Sequence, residues 1–283
     1  MSSDGLEGTR RPEHVGNMKG LGRFFRIPIK STRWPTILMY HAVCPPPDNP
    51  NKIFTSPELF EAQMRYLKRR NLRGVSVREL RRAERTGNVK GLVGLTFDNG
   101  YENFLQNAVP VLERFGFSAT TFVVAGMLGG ENKWEFRGDP RPQMNLLGVE
   151  SVREAAARGM EVGSHSMTHR KLLGLERELL DEEVSRSRQV LSEVLGESVD
   201  GFSYPYGFID RASVEAVRRA GYSYACAVVV QVERNAFDLP RITVTEDNLF
   251  KFAAKLRIYP QYAAAKRIYS RYIRPTDLPP EES

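Results

Sequence analysis

Residues 92–100 read LVGLTFDNG, and this stretch decides the fold class. The run Leu92–Phe97 is apolar or small throughout, which is typical of a strand buried on both faces. Asp98 and Asn99 follow it directly, and Gly100 favours a turn. The pattern predicts a buried parallel strand with polar side chains at its carboxyl end.

The same unit repeats along the chain on both sides of this stretch. Short apolar runs alternate with helical segments about seven times, with strands expected at residues 36–40, 92–97, 119–124, 160–162, 202–204 and 222–230. This alternation predicts an α/β protein whose parallel sheet is covered by helices and wound either into a barrel or into a doubly wound sheet. In either topology, ligands bind at the carboxyl ends of the strands.

The 283 residues fall into three segments that differ in their balance of basic and acidic residues. The chain has 41 Lys and Arg against 34 Asp and Glu, a net charge of +7. Residues 17–34 hold five basic and no acidic residues, residues 250–274 hold seven and none, and residues 35–249 hold 27 and 28. We therefore predict a basic N-terminal arm at 1–34, a folded body at 35–249, and a basic helical extension with a tail at 250–283.

The composition argues against several classes of protein. No apolar run approaches the roughly 20 residues of a membrane span, and the first residues, MSSDGLEGTRRPEH, hold no secretory segment, so we expect a cytoplasmic location. Cys44 and Cys226 cannot make a disulfide framework and are expected to be buried free thiols. The body has no basic stripe interleaved with aromatic residues, which argues against nucleic acid as a partner.

Polar residues that could act in catalysis or metal binding follow the predicted strands. They are His41, Asp98, His165, His169 and Tyr206, so three of the four histidines of the chain lie at strand ends. Two imidazoles four residues apart can hold a divalent metal from one helical turn. The alternatives are capping or surface histidines, and an N-cap role for Asp98.

Taken together, four motifs resemble the polysaccharide deacetylases, which are carbohydrate esterase family 4 with its nodulation-type deacetylase homology domain. The motifs are ILMYH at 37–41, LTFDNGY at 95–101, SHSMTH at 164–169 and FSYPYG at 202–207. The resemblance covers roughly residues 35–245. It implies a distorted (β/α) barrel with about seven parallel strands.

The resemblance also implies roles for individual residues. Asp98 takes the place of the catalytic base, and His165 and His169 take the places of metal ligands. The third ligand is an Asp in the family, and its position is occupied here by Asn99. The implied cofactor is a divalent metal ion, zinc above all, with nickel, cobalt and iron also suited to such a site.

Three further residues complete the implied site. The main-chain N–H of Tyr206 would face the developing oxyanion, and His41 would be the general acid. Many members carry an Arg two residues before the Pro of the third motif, where this chain has Ser203. Arg241 would replace that Arg beside Asp98, and the alternative for Arg241 is a surface salt bridge.

The predicted function is therefore metal-dependent hydrolysis of an N-acetyl group on an amino sugar of a glycan or glycolipid precursor, with release of acetate. Asn99 leaves three explanations open: a natural variant that uses the amide or a nearby carboxylate such as Glu102, an inactive sugar-binding homologue, or an introduced residue. A third class of function is a membrane-surface protein on the same scaffold.

The basic flanks motivate that third class. Lys and Arg alternate with aromatic and aliphatic residues in 17–34 and 250–274, a composition that suits an anionic membrane interface. The expectation is a peripheral position at a membrane surface. The alternative is that the apolar residues pack on the barrel and leave the charges in solvent.

Overall fold

The buried apolar runs form short parallel strands in the computed structural model, which describes residues 35–45, 53–134, 143–228, 235–245 and 247–258. The strands are β1 (Ile37–Tyr40), β2 (Ala42–Val43), β3 (Phe54–Thr55), β4 (Arg73–Val75), β5 (Leu92–Phe97), β6 (Thr120–Val123), β7 (Glu161–Ser164), β8 (Gly201–Ser203), β9 (Tyr224–Ala227), β10 (Leu239–Pro240) and β11 (Ile242–Thr243). The predicted N-terminal arm at 1–34 lies outside these described residues.

Helices connect most of the strands. They are α1 (Pro57–Arg69), α2 (Val77–Arg85), α3 (Val109–Phe115), α4 (Val149–Ala157), α5 (Arg177–Asp181), α6 (Ser187–Leu195) and α7 (Arg211–Arg219), with π-helical turns at Phe104–Ala108 and Glu182–Arg186. Ser56 caps the start of α1 by accepting from the main-chain N–H of Leu59 at 3.2 Å. Residues 249–258 are also helical.

The sheet returns on itself and forms the predicted distorted barrel. Its strands lie in the order β10-β9-β8-β7-β6-β5-β1-β11, and every pairing is parallel. Only Arg241 separates β10 from β11, so the segment 239–243 joins β9 to β1 and supplies the seventh strand of the ring. The barrel alternative is therefore correct, and the doubly wound sheet is excluded.

Alternation along each strand separates the two sides of the barrel wall. In β5, Val93, Leu95 and Phe97 belong to the large cluster shared with the helices. Thr96 lies on the opposite side, and Asp98 continues that inward row at the carboxyl end. In β7 the inward row runs from Glu161 at the amino end to His165 just beyond the carboxyl end.

The two ends of the barrel differ in chemistry. At the amino end, the start of α2 closes the barrel, and the main-chain N–H of Arg78 donates to the Glu161 carboxylate at 2.8 Å. The carboxyl ends stay open and carry the candidate site. Cys226 faces this interior as a free thiol, and burial raises its pKa to about 12, whereas the free thiol of Cys44 is half-buried.

Candidate active site

A cavity of about 120 Å³ opens at the carboxyl ends of the strands. Its lining consists of Met39, His41, Asp98, Asn99, His165, His169, Tyr206, Gly207 and Val228. Six of the seven site residues predicted from the sequence therefore line one cavity, although they come from four separate strand ends. The seventh, Arg241, lies directly behind Asp98. Their roles in catalysis stay predictions.

Asp98 and Arg241 form a buried bidentate ion pair. The two guanidinium nitrogens Nη1 and Nη2 donate to Oδ1 and Oδ2 of Asp98 at 2.6 and 2.7 Å. The Arg241 side chain is 0% exposed, so the surface salt bridge considered for it is wrong. Burial by itself raises the pKa of Asp98, but Arg241, with help from His165 and His41, holds that pKa well below its usual range.

Two hydroxyl groups hold the Arg241 guanidinium in this position. Nη2 donates to Ser203 Oγ at 2.9 Å, and Nη1 donates to Thr96 Oγ1 at 3.2 Å. Ser203 thus stands at the position where the family resemblance implies an Arg, and its small side chain leaves room for Arg241 to enter from another strand. Sequence reasoning missed both hydroxyl partners. The inward alternation of β5 and β8 is the signal that could have found them.

His165 is fixed in one tautomer by the main chain. Its Nδ1 lies 2.8 Å from the carbonyl oxygen of Ser203, which can only accept, so Nδ1 carries the proton. Burial lowers the pKa of His165 and favours the neutral ring, although Asp98 opposes this effect. The neutral ring then has its lone pair on Nε2, which is the arrangement that a metal-binding histidine needs.

His169 sits among aromatic rings at the rim of the cavity. Its ring stacks on Trp134 with centroids 4.3 Å apart and meets the rings of His165 and Tyr206 edge-on at 4.9 and 4.8 Å. The two histidines are thus neighbours, but the segment that joins them is a non-helical turn, so the helical turn assumed from their spacing is wrong. Trp134 was missed because nothing in the sequence around it marks it as part of a site.

The main chain around the cavity is locally strained. Among the described residues, five that are not glycine have positive φ, and four of them are Asn99, Ser166, His169 and Tyr206. Such conformations cost free energy and persist where surrounding contacts enforce them, which occurs most often at functional sites. The strain therefore marks the same strand ends as the motifs do.

Asn99 is the weak point of the predicted metal site. It is buried and lines the cavity, and its Nδ2 donates to Tyr101 Oη at 3.0 Å, so its carbonyl oxygen is the donor atom left for a ligand. Two neutral imidazoles and an amide oxygen fit a divalent cation but supply no negative charge. Accordingly, no group of three His, Cys, Asp or Glu side chains able to hold a metal occurs within the part of the chain that the structure describes.

Glu102 does not replace the missing carboxylate. Its Oε1 accepts a hydrogen bond from Ser151 Oγ at 3.0 Å, at the first turns of α4, and Glu102 is not part of the cavity lining. The suggestion that Glu102 completes the site is therefore wrong. The side chain follows the start of its own helix away from the strand end.

The closed parallel sheet and the position of the cavity place the protein among the (β/α)-barrel proteins that bind ligands at the carboxyl ends of their strands. The sequence profile of the polysaccharide deacetylase family matches residues 86–225, which include the Asp98 and His165 motifs. The chain is similar to this family over these residues, and the curated relatives that it matches include proteins named as polysaccharide deacetylases.

Two curated relatives illustrate the similarity in sequence. The Bacillus subtilis protein YxkH, which carries the name polysaccharide deacetylase, is 26% identical over 188 residues. The match covers 66% of this chain and 61% of that protein. The poly-β-1,6-N-acetyl-D-glucosamine N-deacetylase of Staphylococcus aureus is 23% identical over 205 residues, which is 68% of each chain.

Solved structures share the fold. IcaB from Ammonifex degensii superposes with a TM-score of 0.65 and 28% identity, covering 82% of this chain and 96% of that one. The Streptococcus pyogenes deacetylase PplD, solved in complex with acetate, superposes with a TM-score of 0.64 and 22% identity, covering 76% of this chain and 93% of that one. These superpositions confirm the barrel as the deacetylase fold.

Proposed function

We propose that this protein is a carbohydrate N-deacetylase that hydrolyses the N-acetyl group of an amino sugar in a glycan, with a divalent metal ion as cofactor. The observation that carries the proposal is one cavity in which the buried carboxylate of Asp98, paired with Arg241, lies beside the two histidines His165 and His169. The name of the Staphylococcus aureus relative, a poly-β-1,6-N-acetyl-D-glucosamine N-deacetylase, supports the substrate class.

Each side chain has a task that its environment suits. Arg241 keeps Asp98 ionised at neutral pH, so Asp98 can accept a proton from the attacking water. His41 lines the same cavity and is the candidate to protonate the leaving amine. The N–H of Tyr206 is the candidate donor to the oxyanion, where one such donor contributes about 2.7–4 kcal/mol. A zinc ion held by His165, His169 and Asn99 would acidify a bound water and polarise the acetyl carbonyl.

Acetate release from N-acetylglucosamine oligomers, measured with and without added zinc, tests this function. We expect zinc-dependent release that Asp98→Asn abolishes, because the amide cannot accept the proton. His41→Ala should lower kcat and leave the fold intact. Zinc-independent release, or full activity in Asp98→Asn, would contradict the proposal.

The neutral ligand Asn99 favours a second candidate, a sugar-binding homologue without turnover. The two candidates differ in one measurement, since both predict binding of N-acetylglucosamine oligomers and only the enzyme releases acetate. Binding without release, at zinc concentrations that saturate the site, would support the second candidate.

A peripheral position at an anionic membrane is a separate part of our proposal. In the helical segment 249–258, Phe252 is buried against the core, whereas Phe250 is 83% exposed and Ile258 is 58% exposed. The segment therefore packs on the barrel with one face and presents apolar side chains among basic ones on the other. No helix of the described residues is long and apolar enough to cross a membrane. The cytoplasmic location stays a prediction.

A further inference from the structure

The turn that carries both histidines rests on a buried carboxylate that the proposed chemistry does not use. Glu183 lies in the π-helical turn Glu182–Arg186 and is 2% exposed. Its Oε2 accepts from the main-chain N–H groups of Met167 and Thr168, each at 3.0 Å, and Thr168 Oγ1 donates to its Oε1. One side chain thus satisfies three donors between His165 and His169.

The other side of the turn is held by main chain. The N–H groups of Ala125 and Gly126 donate to the carbonyl oxygens of Ser166 and Met167 at 3.0 and 2.9 Å. Gly126 comes so close that a Cβ there would lie 2.6 Å from the Met167 oxygen. The turn is therefore clamped between the end of β6 and the Glu183 side chain.

The clamp has a definite mechanical consequence. Ser166 and His169 have φ values of 66° and 60°, which a side chain other than glycine rarely adopts, so the turn needs contacts that enforce it. Those two φ values decide how far apart the rings of His165 and His169 stand. A carboxylate that accepts several N–H groups forms charge-assisted hydrogen bonds, which are about twice as strong as neutral ones.

We propose that Glu183 is a positioning residue that holds the His165–His169 turn in the geometry required for metal binding. The inference rests on the proposed function, since it takes the two histidines as ligands. Glu183 lies outside the cavity lining and acts through the main chain and the Thr168 hydroxyl of the turn. Glu183 lies in a π-helical turn, in which one extra residue is inserted into the helix. Such turns occur often at functional sites.

The chain offers a matched control for a merely structural carboxylate. Glu161 is equally buried and accepts from Arg78 N–H, Thr120 Oγ1 and Tyr224 Oη at 2.7–2.8 Å, but it lies at the amino end of the barrel. Glu183→Ala and Glu161→Ala each remove a buried carboxylate with three hydrogen bonds. Only the first should affect the histidines.

The experiment measures zinc affinity of the full chain by calorimetry, in the natural sequence and with Asn99→Asp. Glu183→Ala should weaken zinc binding by about 10–100-fold, as changes to groups that orient metal ligands do. Glu183→Gln keeps one acceptor oxygen and should recover most of the affinity. Glu161→Ala should lower the melting temperature and keep zinc affinity, and the exposed Glu182→Gln should change neither.

A second measurement does not need the metal. Hydrogen exchange of the Thr168 amide should become faster in Glu183→Ala and remain slow in Glu161→Ala. The Met167 amide also donates to the main-chain oxygen of Glu183 at 3.1 Å, which Glu183→Ala keeps, so its exchange should change in the same direction but less. If Glu183→Ala does not fold, Thr168→Val replaces an exposed side chain and should weaken zinc binding in the same direction but less.

The outcomes separate the two proposals. Zinc binding that Glu183→Ala and Thr168→Val leave unchanged would overturn the positioning role and keep the metal site. Equal zinc losses in Glu183→Ala and Glu161→Ala would reduce Glu183 to a structural residue. No zinc binding in the natural sequence and in Asn99→Asp would overturn the proposed metal dependence, and exchange at Met167 and Thr168 would then decide the role of Glu183 alone.

Discussion

At the scale of single residues, the cavity depends on groups whose charges are fixed by their neighbours. Asp98 is ionised because Arg241 faces it, and burial favours the neutral form of His165, whose tautomer is fixed by the hydrogen bond from Nδ1 to the Ser203 carbonyl oxygen. Asn99 is the exception, since it occupies a ligand position without a charge. The charge of the site therefore depends on the Asp98–Arg241 ion pair and on the neutral amide of Asn99.

Asn99→Asp should raise zinc affinity by roughly tenfold or more, equivalent to about 1.4 kcal/mol, because it adds a negative ligand. Asn99 has a φ of 78°, and Asp tolerates that conformation nearly as well as Asn, so the fold should persist. Calorimetric titration with zinc is the measurement. Asn103→Asp is the control, because Asn103 Oδ1 only accepts from Val43 N–H. Equal affinities in Asn99→Asp and the natural sequence would remove Asn99 from the ligand set.

Breaking the Asp98–Arg241 pair should cost about 3–5 kcal/mol of unfolding free energy, because either partner alone is a buried unpaired charge. Urea unfolding of Asp98→Asn and Arg241→Met measures this loss, and the double variant should lose less than the sum of the two. Arg65→Ala breaks an exposed pair with Glu61 and should cost about 0–1 kcal/mol. Additive losses would show that the pair is not coupled.

At the scale of elements, β7 connects the two ends of the barrel. Its first residue, Glu161, accepts hydrogen bonds at the start of α2, and the same inward row ends at His165 in the cavity. Gly163 stands between them, where a Cβ would lie 2.5 Å from the Phe122 ring. One strand therefore carries a structural carboxylate, a packing contact and a candidate ligand in succession.

Glu161 should make stability depend on pH. Burial raises the pKa of Glu161. The hydrogen bonds from Thr120 and Tyr224 and the positive charge of Arg78 lower this pKa, but burial has the larger effect. Arg78 is also paired with Asp200 and Glu197. A raised pKa in the folded state means that the contribution of Glu161 is complete below its unfolded pKa of about 4.3 and is lost as pH rises through its folded pKa.

Glu161→Gln removes this titration. Its stability relative to the natural sequence should therefore increase as pH rises from 4 to 7, as measured by urea unfolding at each pH. Glu182→Gln, which alters an exposed carboxylate, serves as the control. A stability difference that stays constant over this range would show that the pKa of Glu161 is the same in the folded and unfolded states.

The loop after β6 should be intolerant of a single methyl group. Gly126→Ala places a Cβ 2.6 Å from the Met167 carbonyl oxygen and should cost about 1–3 kcal/mol, with weaker zinc binding because the histidine turn moves. Thermal unfolding and zinc titration measure both effects. At Gly148 the nearest atom to an added Cβ is 3.8 Å away, so Gly148→Ala should change neither.

At the scale of the whole molecule, the barrel combines a neutral body with basic terminal segments. Residues 35–249 hold 27 basic and 28 acidic residues, whereas residues 250–274 hold seven basic residues and no acidic one. The described part of that C-terminal segment presents Phe250 and Ile258 to solvent. Charge and exposed apolar area thus occur together on one segment, which suits an anionic interface.

We expect the full chain to sediment with vesicles rich in anionic lipid at low salt and to be released at high salt, because the screening length shortens from about 10 Å at about 0.1 M salt to about 3 Å at about 1 M. Phe250→Ser combined with Ile258→Ser should reduce the bound fraction. Leu173→Ser alters another exposed apolar residue and should leave it unchanged. Equal recovery in the supernatant with neutral and anionic vesicles would remove the membrane from the proposal.

The sequence by itself determined the elements and the members of the site. Local periodicity and composition indicate the buried strands and their flanking turns, so β5 begins and ends where the pattern predicts and β1 lies within one residue of its predicted bounds. The motifs at the strand ends identify the cavity residues, because parallel strands bring their carboxyl ends to one edge. The π-helical turn Glu182–Arg186 between α5 and α6 is a feature that hydrophobic periodicity does not predict.

The tertiary structure decided what acts on those residues. Arg241 pairs with Asp98 across 143 positions of sequence, and Glu183 supports a turn on a neighbouring element. The closure of the barrel depends on the two short pairings of the segment 239–243. Such contacts depend on how elements that are distant in sequence pack together, and local patterns of hydrophobicity do not specify which distant side chains come into contact.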